Sequence, residues 1–177
     1  MPAASNEGRP GVRLRGHLWF GVAAMIGSGA ALSAISKWRD DHALLINTSD
    51  SLPNWAFVIH NDKAPARGDY VFFEAPASPL VLRHFGRGRK LFGKIVYGMP
   101  GDIVVHRGDT VTINGRVIAR TKPVSRLGEV LAPGPSGVIP YGCYYVGTPH
   151  KDGFDSRYAA IGYACRRAIV GTGEPIL

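Results

Sequence analysis

Thr110-Val111-Thr112-Ile113-Asn114-Gly115-Arg116-Val117-Ile118-Ala119 reads as two short strands joined by a two-residue turn. Asn-Gly between such runs is the strongest short-range hairpin signal, because a type I′ turn needs two residues that tolerate positive φ. The same grammar continues outward from this hairpin in both directions. Short apolar runs, alternating or continuous, are separated by Gly, Pro, Asn and Asp. They predict strands over Ala43 to Asn47, Ala56 to His60, Asp69 to Phe73, Leu91 to Tyr97, Asp102 to Arg107, Cys143 to Gly147 and Ala164 to Val170, besides the two of the hairpin. No stretch after residue 40 shows a helical period, and the chain has no internal repeat. Pro123 to Pro140 is rich in Gly and Pro and is expected to be a long surface loop. Residues 40–177 are therefore expected to form one mostly β domain.

Upstream the pattern changes. Leu18 to Ser36 carries no charge over 19 residues, enough for a helix to span a bilayer core, which takes roughly 20. Arg9, Arg13 and Arg15 precede it, while Lys37 and Arg39 follow it beside Asp40 and Asp41. That bias favours a cytoplasmic basic tail over 1–17, an anchor over 18–36 and an exported remainder. A cleaved secretory signal is the alternative, since Ala31-Leu32-Ser33-Ala34 resembles a processing site. The apolar run exceeds the roughly 7 to 15 residues of a secretory h-region, which favours the uncleaved anchor. A buried core helix is a third reading, against which Gly21, Gly27 and Gly29 would each cost helix stability.

A chain of 177 residues accommodates one domain with a real core and one membrane segment. Its apolar content of 45%, with 23 Gly and 13 Pro, describes a turn-rich folded chain and excludes a disordered one. The formal charge of +8 is compatible with nucleic acid, an anionic membrane surface or plain solubility. Cys143 and Cys165, the only cysteines, are either a disulfide or two buried thiols. Without a nearby His they suggest no metal site.

Three segments carry candidate chemistry. Ser51-Leu52-Pro53 follows a strand and opens a turn, where a serine is usually a turn-former but can also be exposed at a strand end. Lys94 stands inside Leu91-Phe92-Gly93-Lys94-Ile95-Val96-Tyr97, a run that otherwise reads as a buried strand, with Phe92 and Val96 on its face. Such a lysine either snorkels to water or is desolvated, and desolvation lowers its pKa toward that of a usable base. Asp155 and Arg157, in a polar segment between two strands, form either a loop-holding ion pair or part of a site.

Together these segments resemble a family. Ser51-Leu52-Pro53, Arg67-Gly68-Asp69-Tyr70-Val71-Phe72-Phe73, Lys94-Ile95-Val96-Tyr97-Gly98-Met99-Pro100-Gly101-Asp102 and Asp155-Ser156-Arg157-Tyr158 look like the successive motif boxes of type I signal peptidases, in order. With the short length and the Asn47-Thr48 lead-in, the chain looks closest to the conjugative-transfer peptidases called TraF. The resemblance spans roughly Leu18 to Val170. It implies a signal-peptidase-like β-rich catalytic domain behind one transmembrane helix, with Ser51 as nucleophile and Lys94 as general base. Ser49 matches a side-chain donor that joins the Ser51 amide in an oxyanion hole, and Asp155, Ser156 and Arg157 match residues that brace the site. Two positions depart from the family. Leu52 stands where Met is usual, on the floor of a substrate pocket. Gly153 stands where a serine usually orients the lysine, so that Thr148, Ser156 or a water would take over that contact. The end of the last box, Ala159-Ala160-Ile161-Gly162, drifts as well.

The resemblance further implies a single-pass protein of a bacterial inner membrane with its catalytic domain in the periplasm. Its partners would be an exported precursor, in the TraF type a conjugative pilin subunit whose ends are joined into a ring, together with membrane lipid and other conjugation-apparatus proteins. No cofactor, metal or nucleic acid is expected. An extended substrate would add to a strand edge, with Leu52, Leu44 and Ile46 as lining residues and Val81 and Leu82 as further candidates. The basic run Arg83 to Lys90 invites either nucleic acid or anionic headgroups, and export favours the headgroups. The alternatives are a general housekeeping signal peptidase and a catalytically inactive envelope component of a conjugation apparatus.

Overall fold

The computed structural model describes residues 11–48 and 51–176, with the side chains of the first helix described from Leu18 onward. The chain divides into two compact units, Met1–Asp41 and His42–Leu177. The first holds helix α1, Gly11–Asp41. Its segment Leu18–Asp41, 24 residues with a mean hydropathy of 1.7, is long and apolar enough to cross a membrane,. Trp19, Phe20 and Met25 are exposed, as expected of a helix whose apolar surface needs lipid to cover it.

The second unit is mostly β. Strands β1 (His42–Ile46), β2 (Ala56–His60), β3 (Tyr70–Glu74), β4 (Leu91–Gly98), β9 (Cys143–Gly147), β10 (Ala164–Cys165) and β11 (Ile169–Pro175) form a seven-stranded sheet in the order β1-β2-β11-β3-β4-β9-β10. Strands β5 (Ile103–Arg107), β6 (Thr110–Ile113), β7 (Arg116–Arg120) and β8 (Gly137–Val138) form a second sheet in the order β7-β6-β5-β8. The hairpin closes as its sequence requires, with positive φ at both Asn114 (50°) and Gly115 (80°),. Asn114 Oδ1 also accepts from the Ile103 amide, tying the turn to β5.

The central strands of the large sheet are buried on both faces, which is why they read as unbroken apolar runs and not as alternation. Val71 and Phe73 of β3 pack with Val96, Tyr144 and Val146 on one face. Phe72, between them, packs with Leu52, Phe57 and Ile59 on the other. Val104, Val111, Ile113, Ile139 and Tyr145 make a third cluster.

Three expectations need correction. A helix, α2, does occur after residue 40, over Pro79–Phe85. Seven residues make only two turns, too few for a helical period to show. Its ends are nonetheless marked: Ser78 accepts from the Val81 amide, Pro79 stands in the first turn, and Gly86 closes the helix at φ 79°,. Val81 is buried in the core, so it lines no substrate surface. The expected single strand Ala164 to Val170 is instead two, β10 and β11, separated by a turn in which the Ala168 amide donates to the Cys165 carbonyl. Strand β11 runs on through Gly171-Thr172-Gly173, where β-carbons would fall 2.5 Å from the His60 carbonyl oxygen and 2.3 Å from the Phe72 ring. Glycines are required there by that close approach, and they erased the apolar signal.

Pro123 to Pro140 is largely loop, pinned by the bridges Val124↔Val130 and Pro133↔Tyr158 and contributing β8. Cys143 and Cys165 form a disulfide between directly opposed residues of β9 and β10.

Candidate active site

Ser51 opens the turn that follows β1. Asn47, just past the end of β1, clamps that turn: its side-chain amide donates to the carbonyls of Leu52 (3.3 Å) and Asn54 (3.0 Å), and its backbone N–H donates to the Trp55 carbonyl (2.7 Å). Leu52 is 5% exposed and lies over Gly93, where an added β-carbon would sit 3.0 Å from Leu52 Cδ1. The residue after Ser51 thus packs on the residue before Lys94. Ser49 lies outside the described residues.

Lys94 is 5% exposed, in the middle of β4 opposite Val71 of β3. It shares its strand face with Phe92 and Val96, and its Nζ lies 5.6 Å from the centre of the Phe92 ring,. No ion pair reaches it among the described residues. Burial lowers its pKa from the ordinary value of 10.5; the Asp155 charge opposes that shift and the Arg157 charge adds to it,.

Asp155 (0% exposed) and Arg157 (3% exposed) form a two-pronged pair, with Nε to Oδ1 at 2.8 Å and Nη2 to Oδ2 at 2.9 Å,. The backbone N–H groups of Thr148 and Arg157 donate to the same carboxylate. Burial raises the Asp155 pKa against the pull of Arg157. Each of these partners is a donor, so the site is built for the ionised carboxylate. The guanidinium also donates to the carbonyls of Thr148 (2.9 Å) and Arg120 (3.3 Å). Between these two residues Ser156 is fastened to β9: its hydroxyl accepts from the Val146 amide, and its own amide donates to the Val146 carbonyl.

Thr148 joins these parts. It follows Gly147, which pairs with Ile95 next to Lys94, and it is buried. Its hydroxyl donates to the Ser51 carbonyl at 2.5 Å. Thr148 and Ser156 are the two side chains expected to stand in for a serine at position 153. The Ser156 hydroxyl accepts from the Val146 amide, and the Thr148 hydroxyl donates to the Ser51 carbonyl. The Asn47 clamp was not foreseen, although an Asn shortly before a Ser-Leu-Pro turn is a residue suited to hold one. Leu44 and Ile46 are both 68% exposed on β1, the terminal strand of the sheet.

The arrangement combines a serine on a doubly clamped turn, a desolvated lysine and a braced carboxylate, which suits proton transfer from a hydroxyl better than metal binding. The sequence profile of the signal peptidase family, peptidase S26, matches residues 18–177, and the chain belongs to that family. It is therefore a serine endopeptidase of the signal peptidase type, and signal peptidases act on exported precursor proteins. With α1 at its N-terminus, membership of this family fits a membrane-anchored protein. Among solved structures, a signal peptidase I from Enterococcus faecalis V583 is similar, with 25% identity, a TM-score of 0.39, and coverage of 62% of this chain and 97% of that one. No curated protein matches the chain.

Proposed function

We propose that this peptidase cuts its substrate through a dyad in which Ser51 is the nucleophile and Lys94 the general base. The observation that carries this reading is the burial of Lys94 in an apolar strand, where its amine is held toward the neutral form. A serine hydroxyl attacks only when a neighbouring base takes its proton. Lys94 accepts that proton, the Ser51 oxygen bonds to the scissile carbonyl, and the resulting oxyanion is held by the Ser51 amide and the Ser49 hydroxyl. On collapse the C–N bond breaks and the leaving amine takes the proton from Lys94. Water then hydrolyses the ester. Replacing Ser51 with Ala and, separately, Lys94 with Ala should each abolish cleavage of a precursor by the folded protein; full activity in either ends the proposal.

The substrate we infer is a conjugative pilin precursor, on the strength of the resemblance of the Asn47-Thr48 lead-in before Ser51 to the TraF type of signal peptidase. If the amine of the same chain attacks the ester in place of water, Ser51 is released and the product is a ring. Mass spectrometry of the mature pilin then shows one water fewer than the linear form, and a linear mass removes the cyclisation step alone. The precursor would lie as an added strand on β1, over Leu44 and Ile46 with Leu52 beneath, so a large residue just before the cleaved bond should be rejected. The arginines before residue 18 favour a catalytic domain in the periplasm, which protease protection of closed spheroplasts and inverted vesicles tests directly.

A further inference from the structure

Thr148 is hydrogen-bonded both to the Ser51 segment and to the Asp155–Arg157 brace. Its hydroxyl donates to the Ser51 carbonyl and accepts from the His150 amide (3.2 Å). Its own amide donates to Asp155 Oδ2, and its carbonyl accepts from Arg157. Its methyl group fills the space above Gly153, where an added β-carbon would fall 2.2 Å from Thr148 Cγ2. The side chain is 2% exposed, so the hydroxyl has no solvent to turn toward. The contact to Ser51 joins residues 97 apart in sequence. It ties the turn after β1 to the end of β9, beside Lys94, and it binds the backbone of the serine itself.

We propose that Thr148 is a positioning residue for the nucleophile: by holding the Ser51 carbonyl to the Asp155–Arg157 brace, its hydroxyl sets the approach of the Ser51 side chain to the Lys94 amine and to the scissile bond. The inference rests on the Ser51/Lys94 reading above. The methyl and the hydroxyl do separate work. The methyl packs over Gly153, and the hydroxyl fixes Ser51. A small displacement of a reacting group costs on the order of 100-fold in rate, which is the scale expected here.

The test uses the full-length protein in detergent with a peptide spanning a cleaved bond. Thr148→Val keeps the shape and removes the hydroxyl; it should lower kcat about 10- to 100-fold, leave KM within about twofold, and leave the pH at which the acid limb of the rate profile falls where it is, since Lys94 is untouched. Thr148→Ser restores the hydroxyl and should return most of kcat. Acylation of Ser51 by a serine-directed probe should slow in parallel with kcat in the valine variant. Should the valine variant fail to fold, the serine variant decides: near-wild-type kcat supports the proposal, and a loss of tenfold or more with the fold intact overturns it. Wild-type kcat in a folded Thr148→Val overturns it too. If Ser51→Ala or Lys94→Ala still cleaves, the dyad itself has failed, an outcome distinct from a working dyad that is indifferent to Thr148.

Discussion

The Lys94 amine lies 5.6 Å from the centre of the Phe92 ring, two residues back on the same face of β4. The ring's negative face would welcome a proton on that amine, yet burial is the larger effect and the pKa moves down. Two consequences follow for pH dependence. On the proposed Ser51/Lys94 dyad, catalysis by the neutral amine would be lost as pH falls through the lowered pKa, so kcat/KM should show an acid limb below the ordinary lysine value of 10.5,. The stability effect has the same sign. Below 10.5 the unfolded chain binds a proton that the folded site resists, so folding becomes more favourable as pH rises through that window,. Lys94→Met should therefore be more stable than the parent at neutral pH, with the advantage shrinking toward pH 10.5. Thermal melts of both proteins across that range check this, and a constant difference would argue against a desolvated amine.

Removing one side of the Asp155–Arg157 pair should be far costlier than removing an ion pair at the surface. Asp155→Ala leaves a buried guanidinium without its counter-charge and withdraws the acceptor for the Thr148 amide, a loss of about 3–5 kcal/mol by the usual magnitude for broken buried pairs. Arg120 and Asp109 form a comparable contact with side chains 70% and 55% exposed, where the expected cost is below about 1 kcal/mol. Urea unfolding of Asp155→Ala beside Asp109→Ala measures the contrast, and similar losses would show that the buried pair is not structural.

The parts of the fold legible in the sequence are those where one residue type does one local job. Asn114-Gly115 supplies the two positive φ angles of its turn, and Phe72, Val96 and Val146 fall in short runs that only a strand buried on both faces would bury. Strand β11 is not legible beyond Val170, because its glycines are set by the closeness of β2 and β3, and those neighbours lie far upstream in the chain. Helix α2 is too short for periodicity and shows only in its caps. At the site, Lys94 stands out as a charge in an apolar run, and Asp155 with Arg157 as an acid and a base two apart. What no local pattern carries is the contact from Thr148 to Ser51, since a threonine hydroxyl has no sequence signature for a carbonyl 97 residues away.

The disulfide closes a separation of 22 residues between β9 and β10. On the chain-entropy account, a loop of that size stabilises the fold by about 3 kcal/mol through the unfolded state. It also holds the outermost strand of the large sheet, which pairs only at Ala164↔Tyr144 and Cys165↔Cys143. The double variant Cys143→Ala with Cys165→Ala should lose about that much stability, while the Ser51 segment, which meets β9 at its Thr148 end and not at Cys143, keeps its geometry. Denaturant midpoints with and without reductant measure the effect on the parent, and the double variant should be insensitive to reductant.

Gly153→Ser would supply the residue type that the resemblance to signal peptidases leads one to expect, and in this chain it should do harm. The β-carbon would enter within 2.2 Å of Thr148 Cγ2, 2.8 Å of Asp155 Oδ2 and 3.0 Å of Arg157 Nη2. None of these can swing away freely, since Thr148 is tied to Ser51 and the other two hold each other. Overpacking of this kind costs about 1–3 kcal/mol, and relieving it by moving Thr148 would drag the Ser51 carbonyl with it. The substitution should therefore reduce both stability and kcat. Combining it with Thr148→Ser removes the methyl that makes the closest clash while keeping the hydroxyl, so the double variant should recover part of both losses. The residual clash with Asp155 and Arg157 limits that recovery. Melting temperature and kcat for the four members of this cycle give the coupling between the two positions. Additive losses would mean that Thr148 and Gly153 do not share the space assigned to them here.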